Sequence, residues 1–356
     1  MARRSSARFV AISRRHLGRT FDVARGVELK EDIASSSSSS SLTLAATSKI
    51  EAGVRAVTTP FAAWATRSVD FAASSASNDA RFGAIFNAMD AGPERNKTMM
   101  ETVLMTLHVL NERMTSSRNH RDDESDAVVY AATYPDSMYF ADACLDESRV
   151  ALLEGTSTRR RLESRAEFTR ALSRATSLPV QDIAWALGAV SSRAMKSDVV
   201  PFAFVPGCDL LDHSFDANCE LRRDSQTHEV FAITRRVVEP GESLTLSYGD
   251  TLSNDRALRM YGFALANNPN DERVVFGSGV RGFHPARADF ASNVSEMLRA
   301  HHDAPKIWLD EASKWQATQS RIVIDDDVGD DPWRDAVRTL RECQSQIIDA
   351  HVAALN

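Results

Sequence analysis

The sequence predicts an α+β fold, a small strand-rich core interrupted and flanked by helices. Three observations predict it. Met99, Val103, Leu104, Leu107 and Leu110 recur at helical spacing between Thr98 and Met114. Side chains alternate from Glu229 to Thr234 and again from Ser243 to Tyr248, the period of a strand with one buried face. After Tyr261 the pattern turns helical once more, over Arg287 to His301, Trp308 to Trp315 and Pro332 to Ala353.

Taken in order, the first 21 residues carry six arginines (Arg3, Arg4, Arg8, Arg14, Arg15 and Arg19), three serines and no acid before Asp22. That is the composition of an organellar transit peptide; the alternative is a basic tail. The serine run Ser35 to Ser41 reads as a flexible linker. Ile50 to Ala91 is rich in Ala, Ser and Thr, and Phe61, Trp64, Val69 and Phe71 keep no clean period, so short strands and short helices stay open there. Ser116 to Asp126 is a charged loop, and Phe168 to Ala175 and Val180 to Met195 are two further helices. Asp182 is placed to cap the second, its carboxylate accepting early backbone N–H groups. Glu239-Pro240-Gly241-Glu242 is a turn between the two strands. The acids Asp325, Asp326, Asp327, Asp330 and Asp331 precede the last helix, where negative charge suits the helix dipole.

A chain of 356 residues suffices for about two domains. The net charge of −7 argues against a general nucleic-acid binder, and no apolar run approaches the ~18 residues of a membrane span. Cys144, Cys208, Cys219 and Cys343 are scattered, without the paired spacing of a zinc site or the density of a disulfide framework, which points to a reducing compartment. His301-His302 has no third ligand at sensible spacing, and neither Asp122-Asp123-Glu124 nor the 325–331 run follows a calcium loop, so no metal is expected. Serine elbows, phosphate-binding glycine loops and metalloprotease helices are absent.

The most informative stretch is Asp209-Leu210-Leu211-Asp212-His213-Ser214, four polar residues and two leucines after the apolar run Val199 to Val205. Buried polar groups are costly unless bonded, so such a knot suggests a site. Some thirty residues on, the strand Leu244-Thr245-Leu246-Ser247 ends on Tyr248-Gly249. Ser253-Asn254-Asp255 and Tyr261-Gly262-Phe263 follow, and Trp185-Ala186-Leu187 with Ser192-Arg193-Ala194 precede. In this order the motifs resemble the SET-domain protein methyltransferases, specifically the branch of the Rubisco large-subunit lysine methyltransferase and related actin-histidine and non-histone lysine enzymes. The match is close from about residue 183 to 276 and looser over 97–181, where Leu153-Glu154-Gly155-Thr156 is its best piece.

The resemblance implies a β-rich SET core (51–275) with a helical insert (97–182) and a C-terminal helical substrate-binding lobe (276–356), after a leader and linker (1–50). It implies S-adenosyl-L-methionine as cofactor and a protein substrate with a target lysine, with no nucleic acid or membrane partner and a monomeric chain. Plastid is the destination it favours, with mitochondrion or cytoplasm as alternatives. Tyr248 matches the catalytic strand-end tyrosine beside the transferred methyl; the plain alternative is a ring packed in the core. Asp209, Asp212 and His213 match positions that hold the amino-acid part and adenine edge of the cofactor; the alternative is a capped turn. Arg193 matches an arginine that pairs with the cofactor carboxylate, against a surface charge at a helix end. Phe263 matches the aromatic that stacks on adenine and Tyr261 a residue on the substrate side, against two core aromatics.

Two departures matter. Asp212 replaces an asparagine; an ionised aspartate only accepts hydrogen bonds, so cofactor binding should be weaker. The family's early Gly-x-Gly loop is missing from the first 90 residues, where Gly18 and Gly26 are the weak candidates. The leading expectation is a protein-lysine N-methyltransferase acting on a non-histone protein. The alternatives are a catalytically impaired SET-fold binding module and a protein-histidine methyltransferase.

Overall fold

The computed structural model of the protein describes residues 21–32, 41–77, 97–118, 134–135, 137–275, 278–324 and 331–355. In chain order its strands are β1 (Asp22–Val23), β2 (Val27–Asp32), β3 (Ser41–Ala46), β4 (Arg55–Thr59), β5 (Ala194–Met195), β6 (Ala203–Phe204), β7 (Asp212–His213), β8 (Cys219–Arg223), β9 (Val230–Thr234), β10 (Thr245–Leu246), β11 (Glu272–Val275) and β12 (Val280–Phe283). The helices are α1 (Phe61–Ala65), α2 (Val69–Ser77), α3 (Lys97–Arg118), α4 (Tyr139–Ala143), α5 (Glu147–Ala151), α6 (Ser157–Thr176), α7 (Val180–Arg193), α8 (Asn254–Tyr261), α9 (Phe290–Ala300), α10 (Ala304–Gln319) and α11 (Pro332–Ala354). Two compact units result. The first takes described residues up to 138 together with 171–250, and the second takes 139–170 with 251–355.

In the first unit β1, β4, β9 and β8 form an antiparallel sheet, with a bulge in β4 between Arg55 and Val57. The β2–β3 hairpin pairs Val27 with Ala46 through Asp32 with Ser41. Leu44, Leu211 and Leu244 are fully buried in one cluster with Phe21, Val57 and Val230. Burying each such side chain contributes roughly 1.5–3 kcal/mol. This fixes the register, since a one-residue slip of β3 would put Thr43 or Ala45 in the place of Leu44. Helix α7 is buried along most of its length, and the Trp185 indole N–H donates to the Pro135 carbonyl.

In the second unit α9, α10 and α11 pack on the β11–β12 hairpin around Trp308, Trp315, Ile347 and Ile348. Asp331 caps α11, accepting from the Trp333 N–H, as the charge pattern before that helix suggests.

Several expectations are corrected. Residues 21–32 and 41–50, assigned with the leader and linker, are strands and turns whose Phe21, Val27, Leu42 and Ile50 lie in the core. The compact units divide at 250, where α8 and its following loop pack with α4 and α11. Asp182 makes no cap: α7 starts directly after Pro179, whose extended ψ of 137° turns the chain, and no side-chain cap bond forms. The strand expected over 243–248 is regular only at Thr245–Leu246, because the run changes partner. Ser243 bridges Ala45 antiparallel, then β10 pairs β7 in parallel. Helix α6 begins eleven residues before the expected Phe168, at Ser157. The transit-peptide residues 1–20, the serine run up to Ser40, and the charged loop beyond Arg118 lie outside the described residues, as do Asp325 to Asp330.

Candidate active site

The polar knot of the first unit is built on a turn that only glycine allows. Gly207 has φ +84°, and a Cβ there would lie 2.4 Å from the Phe21 ring. The chain then makes a 3-10 turn, Cys208–Leu210, burying Asp209. Arg193, the last residue of α7, sets its Nη1 3.4 Å from Asp209 Oδ2, with the Asp209 side chain wholly buried and the guanidinium 5.4 Å from the Tyr134 ring. A buried carboxylate needs such a partner. Arg193 is therefore no surface charge, and Asp209 is held by that side chain as well as by its own turn.

Next, β7 pairs β10 in parallel, Asp212 opposite Thr245 and His213 opposite Leu246. Thr43 of β3 donates its hydroxyl to Asp212 Oδ2 over 2.6 Å. The Tyr248 N–H donates to His213 Nδ1 over 3.2 Å. That nitrogen therefore carries no proton, and the neutral ring presents its N–H at Nε2. Burial lowers the His213 pKa, which keeps the ring in this form. The His213 and Tyr248 rings lie 5.2 Å apart and tilted by 35°.

Tyr248 donates its own hydroxyl to the Leu211 carbonyl, 2.7 Å away. The hydroxyl proton is thereby committed, and any further bond to that oxygen is one it accepts. Ser247 bonds Asp250 Oδ1 over 3.0 Å and accepts from the Gly249 N–H, ordering the turn that follows.

Tyr261 and Phe263 belong to the second unit. Tyr261 ends α8, Gly262 takes the left-handed conformation (φ +88°) that closes it, and the Tyr139 hydroxyl donates to the Gly262 carbonyl over 2.9 Å. The two rings stand 5.8 Å apart at 30°, and burial raises the Tyr261 pKa. The Ser253-Asn254-Asp255 run is structural. Ser253 caps α8, Asp255 pairs with Arg259 over 3.0 Å, and the buried Asn254 holds both the N–H and the carbonyl of Leu265. This frame sets the loop that carries Phe263.

The first-unit residues suit the polar ends of S-adenosylmethionine. A guanidinium matches its carboxylate, a carboxylate its ammonium, and an imidazole N–H any ring acceptor. The place of the missing Gly-x-Gly is less favourable. The turn at Ala24 to Gly26 has one glycine, its carbonyl is taken by the Thr47 N–H, and a Cβ on Gly26 would lie 2.2 Å from Ser48 Oγ. Among the described residues no group of three or more His, Cys, Asp or Glu is placed to hold a metal, and no helix is long and apolar enough to cross a membrane.

No protein-family model matches the sequence, and no curated protein does. Solved structures do. The SET domain of LSMT bound to lysine and AdoHcy superposes with a TM-score of 0.62 at 14% identity, covering 98% of this chain and 91% of that one. The same domain bound to MeLysine and AdoHcy gives 0.63, with the same identity and coverage. Rubisco LSMT bound to AdoMet gives 0.62 at 14% identity.

The fold is that of a SET domain.

Within the SET fold, residues that motif reading passes over emerge as supports. Asn218 is buried and donates to the Ser243 carbonyl, while accepting from the Thr245 N–H over 2.8 Å. It pins β10 three residues before Tyr248. Thr43 orients Asp212, and Tyr134 lies beside Arg193. A signal existed for Thr43, a lone polar residue between Leu42 and Leu44 in an apolar strand. For Asn218 there was none, because its partners, at Glu242, Ser243 and Thr245, lie 24–27 residues away.

Proposed function

We propose that the protein is an S-adenosylmethionine-dependent protein-lysine N-methyltransferase acting on a non-histone protein. One observation carries the reading. The parallel pairing of β7 with β10 places the Asp-Leu-Leu-Asp-His-Ser run beside the Leu-Ser-Tyr-Gly run, so that the Tyr248 hydroxyl rests on the Leu211 carbonyl. It stands in a SET fold whose solved relatives are described with AdoHcy, AdoMet, lysine or methyllysine bound.

When bound, the cofactor supplies a methyl group on a sulfonium. The remaining work is positioning, which alone accounts for a large part of such a rate. Tyr248 is the catalytic residue: with its proton on Leu211, its oxygen accepts from the incoming amine and orients the nitrogen lone pair. Arg193 holds the cofactor carboxylate while remaining on Asp209, Asp212 borders the amino-acid part of the cofactor, and His213 offers Nε2–H. For Phe263 and Tyr261 the roles proposed are those that the motif resemblance implies. The arginine-rich start supports an organellar destination, and the family resemblance favours a plastid, to be tested by imaging a fluorescent fusion of residues 1–20.

A second reading, a binding module without catalysis, is favoured by the single-glycine turn at Gly26 and by Asp212. Histidine methylation is a third, within the same enzyme class. Calorimetric titration of S-adenosylhomocysteine into the full chain separates the first two. Micromolar binding supports the enzyme, to be followed by mapping labelled methyl groups on lysines against histidines. Absence of binding to the folded protein at millimolar ligand supports the module.

A further inference from the structure

At Asp212 the chain departs from its motif, where the resemblance expects an asparagine. The exchange adds one negative charge and removes one amide donor. Asp212 borders the amino-acid part of the cofactor in the function proposed above, and the inference drawn from its charge rests on that reading.

The first unit holds this charge beside the reacting centre. Asp212 directly follows Leu211, whose carbonyl carries the Tyr248 hydroxyl over 2.7 Å. In the parallel pair of β7 with β10 it stands opposite Thr245, three residues before Tyr248. The side chain is fixed, because the buried Thr43 donates its hydroxyl to Oδ2 over 2.6 Å. Asp212 nevertheless keeps an exposed surface, so its carboxylate is accessible to a ligand.

The side chains next to it in the polar knot sum to no net charge. Arg193 and Asp209 form an ion pair, with Nη1 3.4 Å from Oδ2. His213 accepts from the Tyr248 N–H at Nδ1, and burial lowers its pKa, so the ring is neutral. Aspartate in place of asparagine therefore makes this group of four more negative by one unit.

The cofactor and its product differ by one charge in one place. S-adenosylmethionine carries a sulfonium cation, and S-adenosylhomocysteine has a neutral thioether there. The sulfur ends the short chain that begins with the amino-acid group. A carboxylate beside that chain attracts the sulfonium but has no such attraction for the thioether, whereas an amide treats the two nearly alike. Solvent around the exposed Asp212 screens the attraction, so the expected effect is on the order of tenfold in affinity, far below that of a dry ion pair.

We propose that Asp212 is a specificity-determining residue that makes the site prefer the cationic cofactor over its neutral product. A site with this bias lets the product leave and keeps working as the product accumulates.

The test is calorimetric titration of the full chain with three ligands. They are S-adenosylmethionine without a lysine donor, sinefungin, whose protonated amine replaces the methylsulfonium, and S-adenosylhomocysteine. The quantity read is the ratio of the product's Kd to that of each cationic ligand, in wild type, Asp212→Asn and Asp212→Glu. A hydrogen bond gained from the asparagine amide to the shared amino-acid part acts on all three ligands and cancels in the ratio. A ratio that falls by about tenfold in Asp212→Asn, holds in Asp212→Glu and shrinks with added salt in wild type supports the proposal. An equal fall in Asp212→Glu assigns the preference to shape instead of charge and overturns it. Equal ratios in wild type and Asp212→Asn, with all three ligands bound, also overturn it and leave the methyltransferase reading standing. Binding of none of the three to the folded wild-type protein overturns both.

Discussion

Thr43 donates to Asp212 across 2.6 Å, tying the hairpin strand β3 to the start of β7. An asparagine at 212 would accept the same bond through Oδ1 and add a donor. Asp212→Asn is therefore expected to bind S-adenosylhomocysteine about fivefold more tightly, the worth of roughly one additional hydrogen bond. Unchanged or weaker affinity by calorimetry would mean that the carboxylate, not its stand-in, suits the ligand.

Tyr248→Phe removes only the hydroxyl on Leu211. Cofactor-product affinity should hold while methyl transfer falls by about two orders of magnitude, the usual effect of deleting one oriented polar group at a reacting centre. A parallel loss of affinity would assign Tyr248 to the fold instead.

Arg193→Ala leaves the buried Asp209 carboxylate without its cation and should cost roughly 3–5 kcal/mol of stability by urea denaturation. Adding Asp209→Asn should recover much of that loss. If the double variant shows the sum of the two single losses, the residues are not coupled.

In the second unit, Asp271 is buried and accepts from the Asn254 N–H and from the Gln344 amide. Burial nonetheless pushes its pKa up to about 7. The folded state thus prefers the protonated form, and the unfolded chain ionises near the ordinary value of about 4. The stabilisation is full below about pH 4 and is lost as pH rises through about 7, by at most roughly 4 kcal/mol. Thermal unfolding at pH 5 and pH 7.5 should show wild type losing more stability at the higher pH than Asp271→Asn. Parallel pH profiles would contradict this.

Deleting residues 1–41 as a leader and linker would remove β1, β2 and Phe21, whose ring rests on Gly207. That truncation is expected to expose the core and aggregate, which size-exclusion chromatography would read as loss of the monomer peak.

The sequence made some elements plain and hid others, for physical reasons. α3, α7 and α11 were readable because their apolar faces repeat with helical period over three or more turns. The polar knot stood out because Asp209, Asp212 and His213 follow a buried apolar run. β1, β2 and β3 were obscured by arginine and serine bias on either side. β10 was overestimated because alternation cannot tell when a strand exchanges one partner for another. The ties Arg193–Asp209, Thr43–Asp212 and Asn218–Thr245 span 16, 169 and 27 residues. No local pattern encodes such pairs.

The serine repeat joins two strand ends that already face each other, Asp32 opposite Ser41. Closing a longer loop between fixed ends costs only about 0.6 kcal/mol per doubling of its length. Variants with serines added or removed between these two ends should therefore keep both the strand register and the Thr43–Asp212 contact.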